Sequence, residues 1–253
     1  MSGISIFMYH QVGRFAPMKT HRASYCDVDR FRSQMRALRR FGVKVLSMGQ
    51  AVAALRGEAP MPERAAVLTF DDGCENFYEH ALPILQDHGY PSIVYPIAGQ
   101  LGGSAAWLAA EGHPTPPLMT AARLREIAAL GVEIGSHALN HVRLAEQPVD
   151  VQRSELRDSR ERLQHELGRE VAHVCYPYGS HSIDTLMAAA EAGYTSGVTC
   201  QRGAATPAFD PLALPRKAIS YGDDVVGFLW KLYLKDAPKG EALARPGHAD
   251  CRA

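Results

Sequence analysis

Two carboxylates stand side by side at Asp71 and Asp72, directly after the apolar run Ala65 to Phe70 and directly before Gly73. Like charges at such spacing repel and raise each other's pKa unless something beside them takes up the charge. Two histidines four residues apart, His137 and His141, follow later in the chain. Two imidazoles and one carboxylate from another strand make a three-ligand set with an open position, the arrangement of hydrolytic zinc sites. A divalent cation on one aspartate removes the repulsion and leaves the other free to act as a base.

Taken singly these signals are weak: an Asp pair also serves as a turn or helix N-cap, and a histidine pair also serves in loops. Their position in the element order strengthens them. Short apolar runs alternate with helical patterns: strands at Ile4 to Tyr9, Val43 to Leu46, Ala65 to Phe70, Ser92 to Ile97, Val132 to Ile134, Val171 to Tyr176, Thr195 to Thr199 and Leu212 to Ile219. Between them, Asp27 caps a helix from Val28, Ser47 and Gln50 form a capping box, Asn76 to His88 reads as a helix, and Thr120 caps Ala121 to Leu130. Helices over Val151 to Leu167, Ile183 to Ala192 and Val225 to Leu234 complete the pattern. The βα alternation implies a mainly parallel sheet wound by helices, open or closed into a barrel. In such a barrel the chemistry gathers where strands end. The strand ends here are His10, Asp71-Asp72-Gly73, Gly135 to His141, and Pro177-Tyr178-Gly179.

The chain has 253 residues, 46% hydrophobic and 21% charged, with Lys plus Arg and Asp plus Glu both at 27. It is long enough to bury a full core, and its balanced, scattered charge calls for neither nucleic acid nor an anionic membrane as partner. The five cysteines are odd in number, widely spaced and free of any CxxC, which reads as reduced thiols. No signal-peptide pattern and no transmembrane segment is visible, so a cytoplasmic location is the default expectation. Residues 99–117 read as a long loop. Residues 1–235 read as one catalytic domain and 236–253 as a flexible C-terminal tail; the oligomeric state is not legible.

Thr69-Phe70-Asp71-Asp72-Gly73, His137-x-x-x-His141 and Tyr176-Pro177-Tyr178-Gly179, in that order, resemble the polysaccharide deacetylases with the NodB homology domain, carbohydrate esterase family four. Met8-Tyr9-His10 followed by Gln11-Val12-Gly13 resembles the permuted branch that includes the poly-N-acetylglucosamine deacetylases. The resemblance implies a distorted (β/α)7 barrel acting on an N-acetylated saccharide or sugar-lipid with one divalent metal ion, zinc first and cobalt or nickel next. It further implies Asp71 as base, Asp72, His137 and His141 as ligands, His10 as acid, and the Tyr178 backbone N–H at the oxyanion. The sequence departs from the family at Ala138, where Ser or Thr is frequent, and at Cys175, where an Arg often orients the base. Arg216 is the candidate replacement for that Arg.

Two other functions share these residues: hydrolysis of a cyclic imide or ureide on the same fold, and glycan binding by a relative that has lost catalysis. A 2-His-1-carboxylate iron oxygenase is opposed by the βα order. Trp107 is a candidate sugar platform, whereas Trp230, inside an amphipathic helix, is expected in the core.

Overall fold

The computed structural model describes residues 3–247, apart from the side chains of residues 110 and 111. Its strands are β1 (Ile4–Tyr9), β2 (Gln11–Gly13), β3 (Tyr25–Asp27), β4 (Lys44–Val45), β5 (Ala65–Asp72), β6 (Ile93–Pro96), β7 (Glu133–Ile134), β8 (His173–Cys175), β9 (Ser196–Arg202) and β10 (Leu214–Ala218). The helices are α1 (Val28–Arg40), α2 (Met48–Leu55), α3 (Leu82–His88), α4 (Ala121–Ala129), α5 (Val149–Leu167), α6 (Ile183–Glu191) and α7 (Val225–Leu234).

Seven parallel strands run in the order β7-β6-β5-β1-β10-β9-β8. Ser136 joins the two ends: its N–H donates to the His173 carbonyl at 2.9 Å and its carbonyl accepts from the Cys175 N–H at 2.8 Å. The result is a nearly closed (β/α)7 barrel, as expected from the sequence. β4 adds to the first residues of β5, and β2 and β3 form a separate parallel pair.

Strand side chains alternate between the barrel interior and the helical layer. Ile4 and Ile6 of β1, Ala65 and Val67 of β5, and Leu214 of β10 pack inward with Ile93, Tyr95, Cys175 and Val198. Phe7, Tyr9, Leu68 and Phe70 pack outward against Phe31, Met35 and Leu38 of α1. Burial on both faces explains why these strands read as continuous apolar runs. The same alternation carries His10, Asp71 and Arg216 to the interior side at the C-terminal ends of β1, β5 and β10.

Helix starts follow their caps. Asp27 accepts from Asp29 N–H and Arg30 N–H, Ser47 and Gln50 form the capping box, and Thr120 accepts from Arg123 N–H. The helix expected over Asn76 to His88 instead opens with a π-helical turn, Phe77–Ala81, before α3. Pro83 supplies no N–H for the ordinary helical bond in that turn.

Trp230 is not in the core: Phe228 and Leu232 fill the buried face of α7, and Trp230, two residues from each and so on the other side of the helix, is 48% exposed under Lys235. Residues 236–247, within the tail expected from 236 onward, make contacts with the barrel. Lys217 Nζ donates to Asp236 at 2.6 Å, Gln201 donates to the Gly240 carbonyl, and Arg245 pairs with buried Asp210 at 2.9 Å. Residues 248–253, and with them Cys251, lie outside the described residues. Cys26, Cys74, Cys175 and Cys200 are free thiols. Among the described residues no helix is long and apolar enough to cross a membrane.

Candidate active site

Neighbouring residues on an extended strand point to opposite faces, so two adjacent aspartates at the end of β5 should diverge. They do not, because Asp72 has a left-handed backbone, φ +70°, followed by Gly73 at +74°. A Cβ at position 73 would lie 2.9 Å from Pro96, so the turn requires glycine there. Both carboxylates line one cavity of about 220 Å³ at the C-terminal end of the barrel.

Asp71 belongs to Arg216. Nη1 and Nη2 of Arg216 donate to the two Asp71 oxygens at 2.7 and 2.8 Å. The remaining donors reach the Thr199 carbonyl, Thr69 Oγ1 and Cys175 Sγ at 2.9, 3.0 and 3.2 Å. All five guanidinium N–H groups are therefore used, which is what burying this cation at 1% exposure demands. Burial alone would raise the Asp71 pKa; the Arg216 charge and its hydrogen bonds outweigh that and hold the carboxyl well below the ordinary range. Burial likewise pushes the Cys175 thiol up to about 11, so it stays neutral beside the guanidinium.

Asp72 belongs to the histidines. Its Oδ1 lies 3.4 Å from His137 Nε2 and 3.5 Å from His141 Nε2. Four ligands at zinc-bond lengths around a tetrahedral ion are about 3.3–3.4 Å apart, so these atoms fit one divalent metal. His137 Nδ1 bonds to the Cys175 carbonyl at 2.8 Å, which fixes the tautomer with a lone pair on Nε2. Burial, then the neighbouring His137, lowers the His141 pKa to about 4 and keeps it a neutral donor. Asp71, His137 and Cys175 also lie close enough to suggest a metal group. Arg216 already donates to Asp71 and Cys175, and a guanidinium there excludes a second cation.

The segment between the ligand histidines is held from behind by buried Glu155 of α5, which accepts from Leu139 N–H, Asn140 N–H and Asn140 Nδ2 at 3.0, 2.9 and 2.6 Å. Ala138 and His141 have φ of +59° and +60°. Gly99 closes against this segment, donating to the Leu139 carbonyl at 2.8 Å, where a Cβ would collide at 2.4 Å.

His10 Nε2 lies 3.8 Å from Asp71 Oδ2, and its buried Nδ1 has no hydrogen-bond partner among the described residues. Tyr178 sits in a tight turn at φ +58°. Its ring lies 4.6 Å from His141, Trp107 lies 4.5 Å from the same imidazole, and the Arg143 guanidinium lies 4.3 Å over Tyr178. His21 and Ser24, from the loop between β2 and β3, also line the cavity.

The model of one protein family, polysaccharide deacetylase, matches residues 58–197, more than half of the chain. The chain belongs to the polysaccharide deacetylase family. YxkH of Bacillus subtilis, named as a polysaccharide deacetylase, is 27% identical over 219 residues, covering 87% of this chain and 72% of the relative. The poly-β-1,6-N-acetyl-D-glucosamine N-deacetylase of Staphylococcus aureus is 26% identical over 210 residues, covering 79% and 69%. Among solved structures, the deacetylase PplD of Streptococcus pyogenes, in complex with acetate, superposes with a TM-score of 0.78 at 28% identity over 91% of this chain and 98% of that one. IcaB of Ammonifex degensii shares the fold, with a TM-score of 0.76 at 22% identity, covering 91% and 97%.

The segment matched to the deacetylase family takes in Asp71, Asp72, His137, His141 and Tyr178 and leaves out His10 and Arg216. Pairing of β1 with β10 and of β1 with β5 brings His10 to the cavity and Arg216 onto the Asp71 carboxylate that lines it. Arg216, the candidate replacement for the Arg absent at Cys175, reaches Asp71 and contacts Cys175 itself. Sequence reasoning did not single out Arg143, Glu155 or His21. Arg143 stands two residues after a candidate ligand, and that proximity is the one signal that could have found it.

Proposed function

We propose that this deacetylase removes N-acetyl groups from an amino-sugar polysaccharide, oligosaccharide or sugar-lipid in a metal-dependent hydrolysis. The observation that carries the reading is the unequal treatment of two adjacent carboxylates: Asp71 is gripped by Arg216, and Asp72 faces two imidazoles at metal-bridging distance. The names of the Staphylococcus and Streptococcus relatives support the reaction type.

Asp72, His137 and His141 would hold the ion, with zinc first and cobalt or nickel next. Such an ion supplies Lewis-acid polarisation of a carbonyl and acidifies water. Asp71, kept ionised by Arg216, takes the proton of the attacking water. Arg216 also fixes the rotation of the Asp71 carboxylate, so that a constant face meets the cavity. The Tyr178 backbone N–H is assigned to the oxyanion of the tetrahedral intermediate. His10, on the Asp71 side of the cavity, is assigned the proton that the departing amine takes up; the products are acetate and the free amino sugar.

The test is acetate release from chitooligosaccharides, poly-N-acetylglucosamine fragments and acetylated sugar-lipids. Protein is stripped with chelator and then reloaded with zinc, cobalt or nickel. Release should vanish on stripping and return on reloading. Full activity in metal-free protein defeats the metal assignment, and turnover confined to cyclic imides or ureides defeats the saccharide one.

A further inference from the structure

The charged side chains lining the cavity are not equally matched. Asp71 is paired with Arg216 and Asp72 lies against His137 and His141, whereas Arg143 has no carboxylate partner and no side-chain hydrogen bond among the described residues. Arg143 is nonetheless placed. Its guanidinium rests over the Tyr178 ring, which packs in turn on His141, so the cation stands beside the reacting position rather than on it. A stacked guanidinium keeps its N–H edge available, and that fork matches the two oxygens of a carboxylate or phosphate. The carboxylates of the cavity are engaged by other partners, Asp71 by Arg216 and Asp72 by the two imidazoles, so none pairs with Arg143 and an incoming anion can meet its positive charge.

We propose that the saccharide acted on carries an oxyanion, a carboxylate or a phosphate, on the unit next to the acetamide-bearing sugar, and that Arg143 binds it. This deepens the deacetylase reading above and rests on it. Arg143 is then a specificity residue: it selects an acidic glycan over a neutral one of the same length.

The test compares three N-acetylglucosamine oligomers of equal length: a neutral one, one with a carboxylate on the neighbouring sugar, and one with a phosphate there. Acetate release and calorimetric binding are measured on the full chain, at low and at high salt. At least one acidic oligomer should be preferred by about tenfold over the neutral one, through KM and binding rather than kcat, with the preference shrinking in salt. The acidic oligomer that shows it identifies the anion. Arg143→Gln should erase the preference, and Arg143→Lys should keep part of it. Equal binding of all three oligomers by the wild type overturns the proposal. So does an Arg143→Gln variant that loses neutral and acidic substrates in equal proportion, since that is the mark of a residue that only props Tyr178. Absence of acetate release from every oligomer counts instead against the deacetylase reading; the binding comparison still decides the role of Arg143.

Discussion

Arg216 and Asp71 meet across the barrel from strands that are not neighbours, β10 and β5 with β1 between them, as a two-pronged ion pair at 2.7 and 2.8 Å. Both partners are buried, so neither charge has water to fall back on. Arg216→Met should therefore lower stability by roughly 3–5 kcal/mol, since it leaves a buried carboxylate unpaired. Arg216→Lys keeps the charge without the fork and should lower turnover by about 10²-fold with metal content intact. Denaturant unfolding and acetate release check the two, and a fully active Arg216→Lys variant would remove the positioning role.

The two aspartates should fail in different ways. Asp71→Asn should retain metal and lose roughly 10²-fold or more in kcat, the usual contribution of a positioned base being about 10² to 10⁴. Asp72→Asn should lose metal affinity, and with it activity. Elemental analysis beside kinetics separates them, and exchanged phenotypes would reverse the assignment of the pair.

For His10, replacement by Ala should slow acetamide cleavage by ~10²-fold or more while metal content stays normal. An activated acetyl ester has a leaving group that needs little protonation, so the variant should keep proportionally more activity on it. Equal losses on both substrates would pass the acid role elsewhere. His181, whose Nδ1 bonds the Gly179 carbonyl at 2.7 Å on the turn that carries Tyr178, is the next residue to test.

The pair Asp71-Asp72 and the pair His137, His141 were legible in the sequence because each is contiguous or nearly so and follows an apolar run. The barrel was legible because its strands are apolar on both faces and separated by capped helices. Arg216 was visible only as a candidate: its pairing spans 145 residues of sequence, and only strand order brings it to Asp71. The left-handed turn at Asp72 is only weakly signalled, by the Asp72-Gly73 dipeptide, which marks a turn without saying that both carboxylates end up facing one cavity. Arg143 and Glu155 belong to a loop and a helix face whose roles come from packing, and Trp230 was misread because an apolar residue on an amphipathic helix has two faces to choose from.

Stability should also vary with pH through a histidine remote from the cavity chemistry. Burial, with Arg56 adding to it, lowers the His173 pKa from 6.5 to about 4. The unfolded chain takes up this proton below about pH 6.5 and the folded chain does not until about pH 4, so stability is complete above 6.5 and falls as pH drops through that window. The loss amounts to roughly 3 kcal/mol for a shift of this size. His173→Asn keeps a polar atom toward Ser196, which bonds His173 Nδ1 at 2.8 Å, and removes the titration. Unfolding free energies of the two proteins should converge toward pH 4.5; parallel curves from pH 7 down would show that His173 is not the source.

Every non-glycine residue with positive φ among the described residues, His21, Asp72, Ala138, His141 and Tyr178, lies on the cavity wall or, as Ala138, between the two candidate ligands. Each such conformation costs about 1–3 kcal/mol and persists only where surrounding structure enforces it. The site is thus encoded in the path of the main chain as much as in its side chains. Grafting Asp, Asp, His and His onto the regular strand ends of another barrel would not reproduce it, because the second Asp would point into the helical layer. On warming, this rim should also be the first part to relax, so that activity fades at temperatures where the barrel, followed by circular dichroism, is still folded.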